Sequence, residues 1–290
     1  KKTACCNLSP GKPPAFPEMP LTALPDWPGA AAAAQELLRQ QDNGIPFTGL
    51  ANEFAPGDVM QAYATQDAFI AMQSQQRRTP ISGYKIAITT PVMREFVGFD
   101  DAVSGCVLAD TVFQSGHTVV IAKRQHLIIE FELALQFARD VPERKAPWTA
   151  DSILDFIACA YPSLEIADDR HAVYPDLKQN FFSLVAENAW NHGVVLGSQI
   201  DKSRFADLWQ TTGTAYVDGQ PIGSGHSRDV MGHPLQAMAW IANHFQQRGH
   251  RFKAGQWVTT GSWLASFFPV SGQDLRFDIA GCADVAVFIR

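Results

Sequence analysis

Glu130 and Glu132 stand two residues apart inside the apolar run from Leu127 to Phe137. In a strand, alternate side chains share a face, so the two carboxylates point the same way. Like charges this close repel, and removal from water raises the cost steeply. A divalent cation would relieve that repulsion and turn the pair into a binding site. The other reading is that the pair faces water. Leu127, Ile129, Phe131, Leu133, Leu135 and Phe137 would then form a buried face, with His126, Ile128, Glu130, Glu132, Ala134 and Gln136 on a solvated one. The segment by itself favours the solvated face, although Ile128 and Ala134 are poor surface residues.

A metal at this pair needs a third ligand. Glu165, flanked by Leu164 and Ile166, is the best candidate, and it too fits a solvated strand position. No zinc-type spacing of His or Cys accompanies the pair. An oxygen shell would suit Mg²⁺ or Mn²⁺, with Ca²⁺ as a third option, better than zinc. Lys85, alone in an apolar strand, is either a snorkelling surface lysine or a cation for a substrate carboxylate. Arg170 reads as a structural partner for Asp168 or Asp169. No G-x-S-x-G, Walker loop or G-x-G-x-x-G is present.

These residues need a large core to position them, and the composition supplies one. The 290 residues are 46% hydrophobic and 18% charged, enough for one large domain or two ordinary ones. Net charge is −6 and no basic stripe appears, which argues against nucleic acid or an anionic membrane as the main partner. The five cysteines are odd in number and lack a C-x-x-C pair, so a reducing compartment fits better than a disulfide framework. No apolar stretch follows Lys1 and Lys2 as a secretory signal would require, and no run reaches the roughly 18 apolar residues of a membrane span. A cytoplasmic protein is expected.

Residues 1–28 carry seven prolines and read as an extended or disordered lead-in. Residues 29–80 read as a helical N-terminal part. Asp26 and Pro28 offer a start for a helix over 30–41, and a second fits 58–77, with Val59, Tyr63 and Ile70 buried. Residues 81–290 read as β-rich. Strands are expected over 83–89, 117–123, 127–137, 163–167, 256–262 and 284–290. Asp218-Gly219 signals a hairpin between 214–217 and 220–222. Thr149 should cap a helix over 151–160, with Ile153, Phe156, Ile157 and Ala160 as its core face, and another helix should span 234–248. The sum is an α+β chain with a mostly antiparallel β core.

Several motifs recur in a set order: Gly83-Tyr84-Lys85-Ile86, Glu130 and Glu132 before Leu133-Ala134, Leu164-Glu165-Ile166 with Asp168 and Arg170, Asn188, Gly232 with Pro234, and Thr260-Gly261-Ser262. In them the chain resembles the fumarylacetoacetate hydrolase superfamily, closest to its 2-hydroxypentadienoate hydratase and 4-oxalocrotonate decarboxylase branch. The likeness covers residues 55–290. It implies a mixed β-roll catalytic domain with a smaller helical N-terminal part. It implies that Glu130, Glu132 and Glu165 bind Mg²⁺ or Mn²⁺, that Lys85 is catalytic, and that Thr260, Gly261, Ser262 and Asn188 contact substrate.

The resemblance also implies a reaction class. A 2-oxo or 2-hydroxy acid chelates the metal through its carboxylate and C2 oxygen, and hydration of a 2-hydroxydienoate in aromatic-compound catabolism follows. Decarboxylation or carbon–carbon hydrolysis of a related 2-oxo acid is the alternative, and a weakly active assembly or binding subunit is a third. A homo-oligomer, and association with a related pathway enzyme, are implied as tendencies. The pattern breaks at Val103-Ser104-Gly105, where hydratases of this branch commonly carry Asp-Tyr-Gly. Asp100, Asp101 and Asp110 are the acids near enough in sequence to replace that aspartate. Phe131, and Trp190-Asn191-His192, are bulkier than is usual at their positions.

Overall fold

The computed structural model describes residues 27–290. Most of the proline-rich lead-in, Asp26 and the Cys5-Cys6 pair lie outside the described residues. The chain opens with α1 (Ala30–Asp42), whose Ala33, Ala34 and Leu37 are buried. Gly29 starts it without a side-chain cap. In α2 (Val59–Arg77), Asp58 accepts the Gln61 N–H as a true N-cap, and Arg78 ends the helix in the left-handed region. Tyr63 and Ile70 are buried as expected, whereas Val59 is only half-buried.

A run of strands follows: β1 (Ile81–Ala87), then α3 (Pro91–Val97), β2 (Val103–Leu108), β3 (Val112–Gln114), β4 (His117–Val119) and β5 (Leu127–Phe137). After α4 (Ala150–Leu154) come β6 (Ile157–Asp168), α5 (Phe181–Ala186), β7 (Asn191–Leu196) and β8 (Ile200–Asp201). The last third holds α6 (Phe205–Leu208), β9 (Thr212–Val217), β10 (Gln220–His226), α7 (Pro234–Gln247), β11 (Trp257–Thr259), β12 (Asp274–Ile279) and β13 (Ala283–Ile289). The larger sheet runs β2-β1-β11-β5-β6-β7-β3, with β8 on β6; the smaller runs β10-β9-β12-β13-β4. Pairing is mostly antiparallel; β1–β11, β3–β7 and β13–β4 are parallel. The sheets share one core, where Phe131 and Trp263 each meet Phe277 at 5.7 Å between ring centroids.

One expected element changes type. Thr149 caps a helix in a reciprocal box with Ser152, but the helix stops at Leu154, and Ile157 and Ala160 lie on β6. The short strand expected over 163–167 is the far end of this same 12-residue strand. Its partner explains the switch. β5 presents 11 residues, and β6 pairs along it from Asp168↔Leu127 to Ile157↔Phe137. A ladder of that length, buried on both faces, outweighs a short helical period in local sequence. The Asp218-Gly219 hairpin forms with positive φ at both residues, as a type I′ turn demands. The strand expected over 117–123 ends at Val119, where a single 3₁₀ turn over Ile121–Lys123 takes over.

Candidate metal centre

The β5–β6 register builds the site. Glu130 lies directly opposite Glu165, and Glu132 opposite Ser163. Opposed residues share a face, so all three carboxylates converge, and an oxygen from each lies within 4.8 Å of the others. The solvated-face reading is overturned. Glu132 and Glu165 are fully buried, Glu130 is half-buried, and Ile128 and Ala134 beside them are buried too.

Lys85 arrives from β1 and is 3% exposed, so it is not a snorkelling surface residue. Its Nζ lies 2.6 Å from Glu165 Oε1 and donates to the Ala189 carbonyl at 3.1 Å. Burial opposes its charge, but Glu165, then Glu130 and Glu132, outweigh burial and hold the ammonium above its usual range. Burial, reinforced by Glu165 and Glu130, pushes the Glu132 carboxyl well above the ordinary carboxylate range. Glu165 is raised less, because Lys85 offsets its burial.

One lysine does not balance three carboxylates, and the hydrogen bonds do not saturate them. Glu132 Oε2 accepts the Gly261 N–H at 2.8 Å, Glu165 Oε1 accepts Asn191 Nδ2 at 2.9 Å, and Glu130 Oε1 accepts the Ser266 hydroxyl at 2.6 Å. Glu132 Oε1 and Glu165 Oε2 are buried with no partner. Two orphaned anionic oxygens in an all-oxygen cluster fit a hard divalent cation, which would also neutralise the charge.

The segment 260–267 closes the other side of β5. Thr260 donates from its N–H and its hydroxyl to the Leu133 carbonyl at 3.0 Å, and the Ser262 hydroxyl accepts the Phe131 N–H at 3.0 Å. Between them Gly261 has φ +111°, and a Cβ there would fall 2.6 Å from the Thr89 side chain. Only glycine brings this N–H onto Glu132. Gly261 and Ser262 line a cavity of about 430 Å³, together with Lys85 and Glu130. Thr260 does not line it.

Asn188 is also absent from that lining. Its amide is spent on the Cys106 backbone, donating at 2.8 Å and accepting at 2.6 Å. These bonds anchor Asn188–Trp190, three consecutive residues with positive φ, a rare and strained run for non-glycine residues. The run aims the Ala189 carbonyl at Lys85 and sets Trp190 in the cavity wall. Asn191, Ser266 and the Ala189 carbonyl escaped the sequence reading; Asn191 carried a faint signal, standing within an unusual Trp-Asn-His triplet.

The sequence model of the fumarylacetoacetate (FAA) hydrolase C-terminal domain matches residues 102–287. The chain belongs to the fumarylacetoacetate hydrolase family. Within this family it is 29% identical over 235 residues to 2-keto-4-pentenoate hydratase of Burkholderia vietnamiensis, covering 80% of this chain and 86% of that one. It is 26% identical over 256 residues to 2-oxo-hept-4-ene-1,7-dioate hydratase of Escherichia coli, covering 87% and 95%. In fold it matches 4-oxalocrotonate decarboxylase of Pseudomonas putida G7, solved with magnesium and adipate. That match has a TM-score of 0.81 and 21% identity, covering 90% and 97%.

At position 103, where the resemblance leads to an expected acid, the chain carries a valine. Val103 is fully buried in an apolar cluster. None of the three substitutes lines the cavity. Asp101 accepts from Trp240, Asp110 pairs with Arg77, and Asp100 is exposed. Arg170 is buried and structural, but its side chain pairs with Glu187, not with Asp168 or Asp169. Asp168 instead accepts backbone N–H groups of Gln125, His126 and Arg170. Among the described residues, no helix is long and apolar enough to cross a membrane.

Proposed function

We propose that this chain is a divalent-metal-dependent hydratase, a hydro-lyase that adds water to a 2-hydroxydienoate in aromatic-compound catabolism. One observation carries the reading: three carboxylates and Lys85 converge, with Lys85 and Glu130 in the lining of a largely apolar cavity, leaving two buried carboxylate oxygens without partners. The hydratase names of its family relatives agree with it. Glu130, Glu132 and Glu165 would hold Mg²⁺ or Mn²⁺, with Ca²⁺ as a weaker substitute. A bound cation would supply Lewis acidity toward the substrate's carboxylate and C2 oxygen.

The chain's own groups do the rest. Lys85 is the catalytic residue: its ammonium, fixed by Glu165 and the Ala189 carbonyl, would face the acid head and oppose its charge. Gly261 and Ser262 would border that head, while Thr260 and Asn188 act as braces, one on β5 and one on the strained run before Asn191. Apolar walls would hold the diene and limit the water that reaches it. The same reading takes 29–80 as the helical N-terminal part and 81–290 as a β-roll catalytic domain. It also takes the protein to be cytoplasmic and homo-oligomeric.

The buried Val103 favours a second reading, a weakly active subunit that assembles with a related pathway enzyme. Purified protein incubated with Mg²⁺ and 2-hydroxypenta-2,4-dienoate separates the cases. Loss of the conjugated chromophore without carbon dioxide is expected. Release of carbon dioxide from 4-oxalocrotonate would mark a decarboxylase. No turnover across a panel of 2-oxo acids, despite stoichiometric metal, would leave the assembly role.

A further inference from the structure

We infer that the substrate is a monocarboxylate with an uncharged, apolar tail, and that dioates are excluded. The inference rests on the metal-centre reading above and adds what fills the rest of the cavity. The relatives leave this open, since their names include both a monoacid and a dioate hydratase.

The cavity lining combines two chemistries. Lys85 and Glu130 with the Gly261–Ser262 backbone make the polar part beside the metal centre. Much of the remaining lining is apolar, with Ile88, Val97, Ile128, Leu177, Leu184 and Trp190 all from one buried cluster, and its other polar side chains are the neutral Thr89, Thr90, Tyr174 and Ser266 and the acid Asp229. Among the described residues, Lys85 is the only cation in the lining, and it is committed to Glu165 and the Ala189 carbonyl. Arg94, close by on α3, turns its guanidinium to the Ile88 and Thr89 carbonyls. The Tyr174 hydroxyl donates to Asp169 at 3.0 Å, and Trp190 brings a single neutral N–H with no protein partner. The one further charge in the lining is Asp229, an acid. A second carboxylate would therefore be stripped of water against an apolar wall, with a like charge and no counter-charge. A hydrocarbon tail would gain contact at every carbon, and a cavity of about 430 Å³ has room for one.

Saturated 2-oxo acids, which have no carbon–carbon double bond to which water could add, test this by calorimetry on the Mn²⁺-loaded protein. 2-Oxohexanoate should bind at least 100-fold more tightly than 2-oxoadipate, which has the same carbon count. Affinity should rise about fourfold per methylene from 2-oxobutanoate to 2-oxohexanoate. The same preference for monoacid over dioate should appear in kcat/KM for six-carbon 2-hydroxydienoates with and without a second carboxylate. Met93 lies in the lining, yet is 38% exposed on α3, so Met93→Arg should fold and should narrow the preference at least tenfold. Equal or tighter binding of 2-oxoadipate by the parent overturns the inference and leaves the metal-centre reading standing. An unchanged ratio in Met93→Arg overturns the assignment of this wall to the tail. Failure of every 2-oxo acid to bind overturns both.

Discussion

Among the described residues, two buried charge clusters are built on opposite principles. Arg170 and Glu187 are each 1% exposed, and their side chains meet at 2.6 Å. The charges balance, and both Glu187 oxygens are used, the second by Gln41 at 2.8 Å. Arg170 also donates to the Ile45 carbonyl, so the pair clamps the segment after α1 onto the end of β6. The cluster of Lys85 with Glu130, Glu132 and Glu165 is enclosed except at half-buried Glu130, sets three carboxylates against one lysine, and has two unpartnered oxygens. The first cluster balances its charges and does structural work although Arg170 Nε is left without a partner; the second leaves two carboxylate oxygens and unbalanced charge for something from outside to complete. The contrast separates a clamp from a site with no appeal to sequence likeness.

The largest expected effect breaks the second cluster. Glu132→Gln keeps the shape and the Gly261 contact but removes a ligand charge. Stoichiometric Mn²⁺ binding, followed by calorimetry, should be lost, and hydratase activity should fall by about three orders of magnitude, because a Lewis acid supplies several kcal/mol. The metal-free variant should be at least as stable to urea as the parent, since a buried uncompensated carboxylate is gone. Glu187→Ala should show the reverse. It strands the Arg170 guanidinium in the interior and should lower stability by about 3–5 kcal/mol. Glu187→Gln, a milder break, should leave Mn²⁺ stoichiometry intact. Loss of metal binding in both clusters' variants, or of stability in both, would erase the distinction.

What could be read from sequence follows from how local each signal is. The 127–137 strand was legible residue by residue, because its period of two is unbroken, and the hairpin at Asp218-Gly219 was legible because the turn chemistry is specific. The helix over 151–160 misled because its apolar spacing is real but short, and the competing demand came from β5, lying some twenty residues upstream. The triad was visible as residue types. Its burial was not, since an alternating strand looks the same whether its second face meets water or a cavity wall. Asn188 was expected to contact substrate, and its amide is instead bonded to the Cys106 backbone beside three successive positive φ angles that nothing in its neighbours announces. Asn191 and Ser266 reach the carboxylates across a neighbouring strand and a loop, distances that only the fold defines.

Those two supporting contacts grade the comparison further. Asn191→Ala removes the hydrogen bond that orients Glu165 and should weaken Mn²⁺ binding about 10- to 100-fold, the range for a residue behind a metal ligand. Metal-induced protection against thermal unfolding, at fixed Mn²⁺, should shrink with it.

Ser266→Ala should do least. Its partner Glu130 is the half-buried member of the triad, so water can replace the lost hydroxyl at the 2.6 Å contact. A loss of no more than about tenfold in Mn²⁺ affinity, with stoichiometry unchanged, is expected from a single hydrogen bond to a charged group that solvent can restore. An effect as large as that of Asn191→Ala would mean that Glu130 is as closed to water as Glu165 once the metal is bound. The charge imbalance would then be enclosed on every side, and segment 260–267 would have to open for the ion to enter. Paired metal-uptake rates for the parent and Ser266→Ala would separate that case, because loosening the segment should then speed entry rather than weaken binding alone.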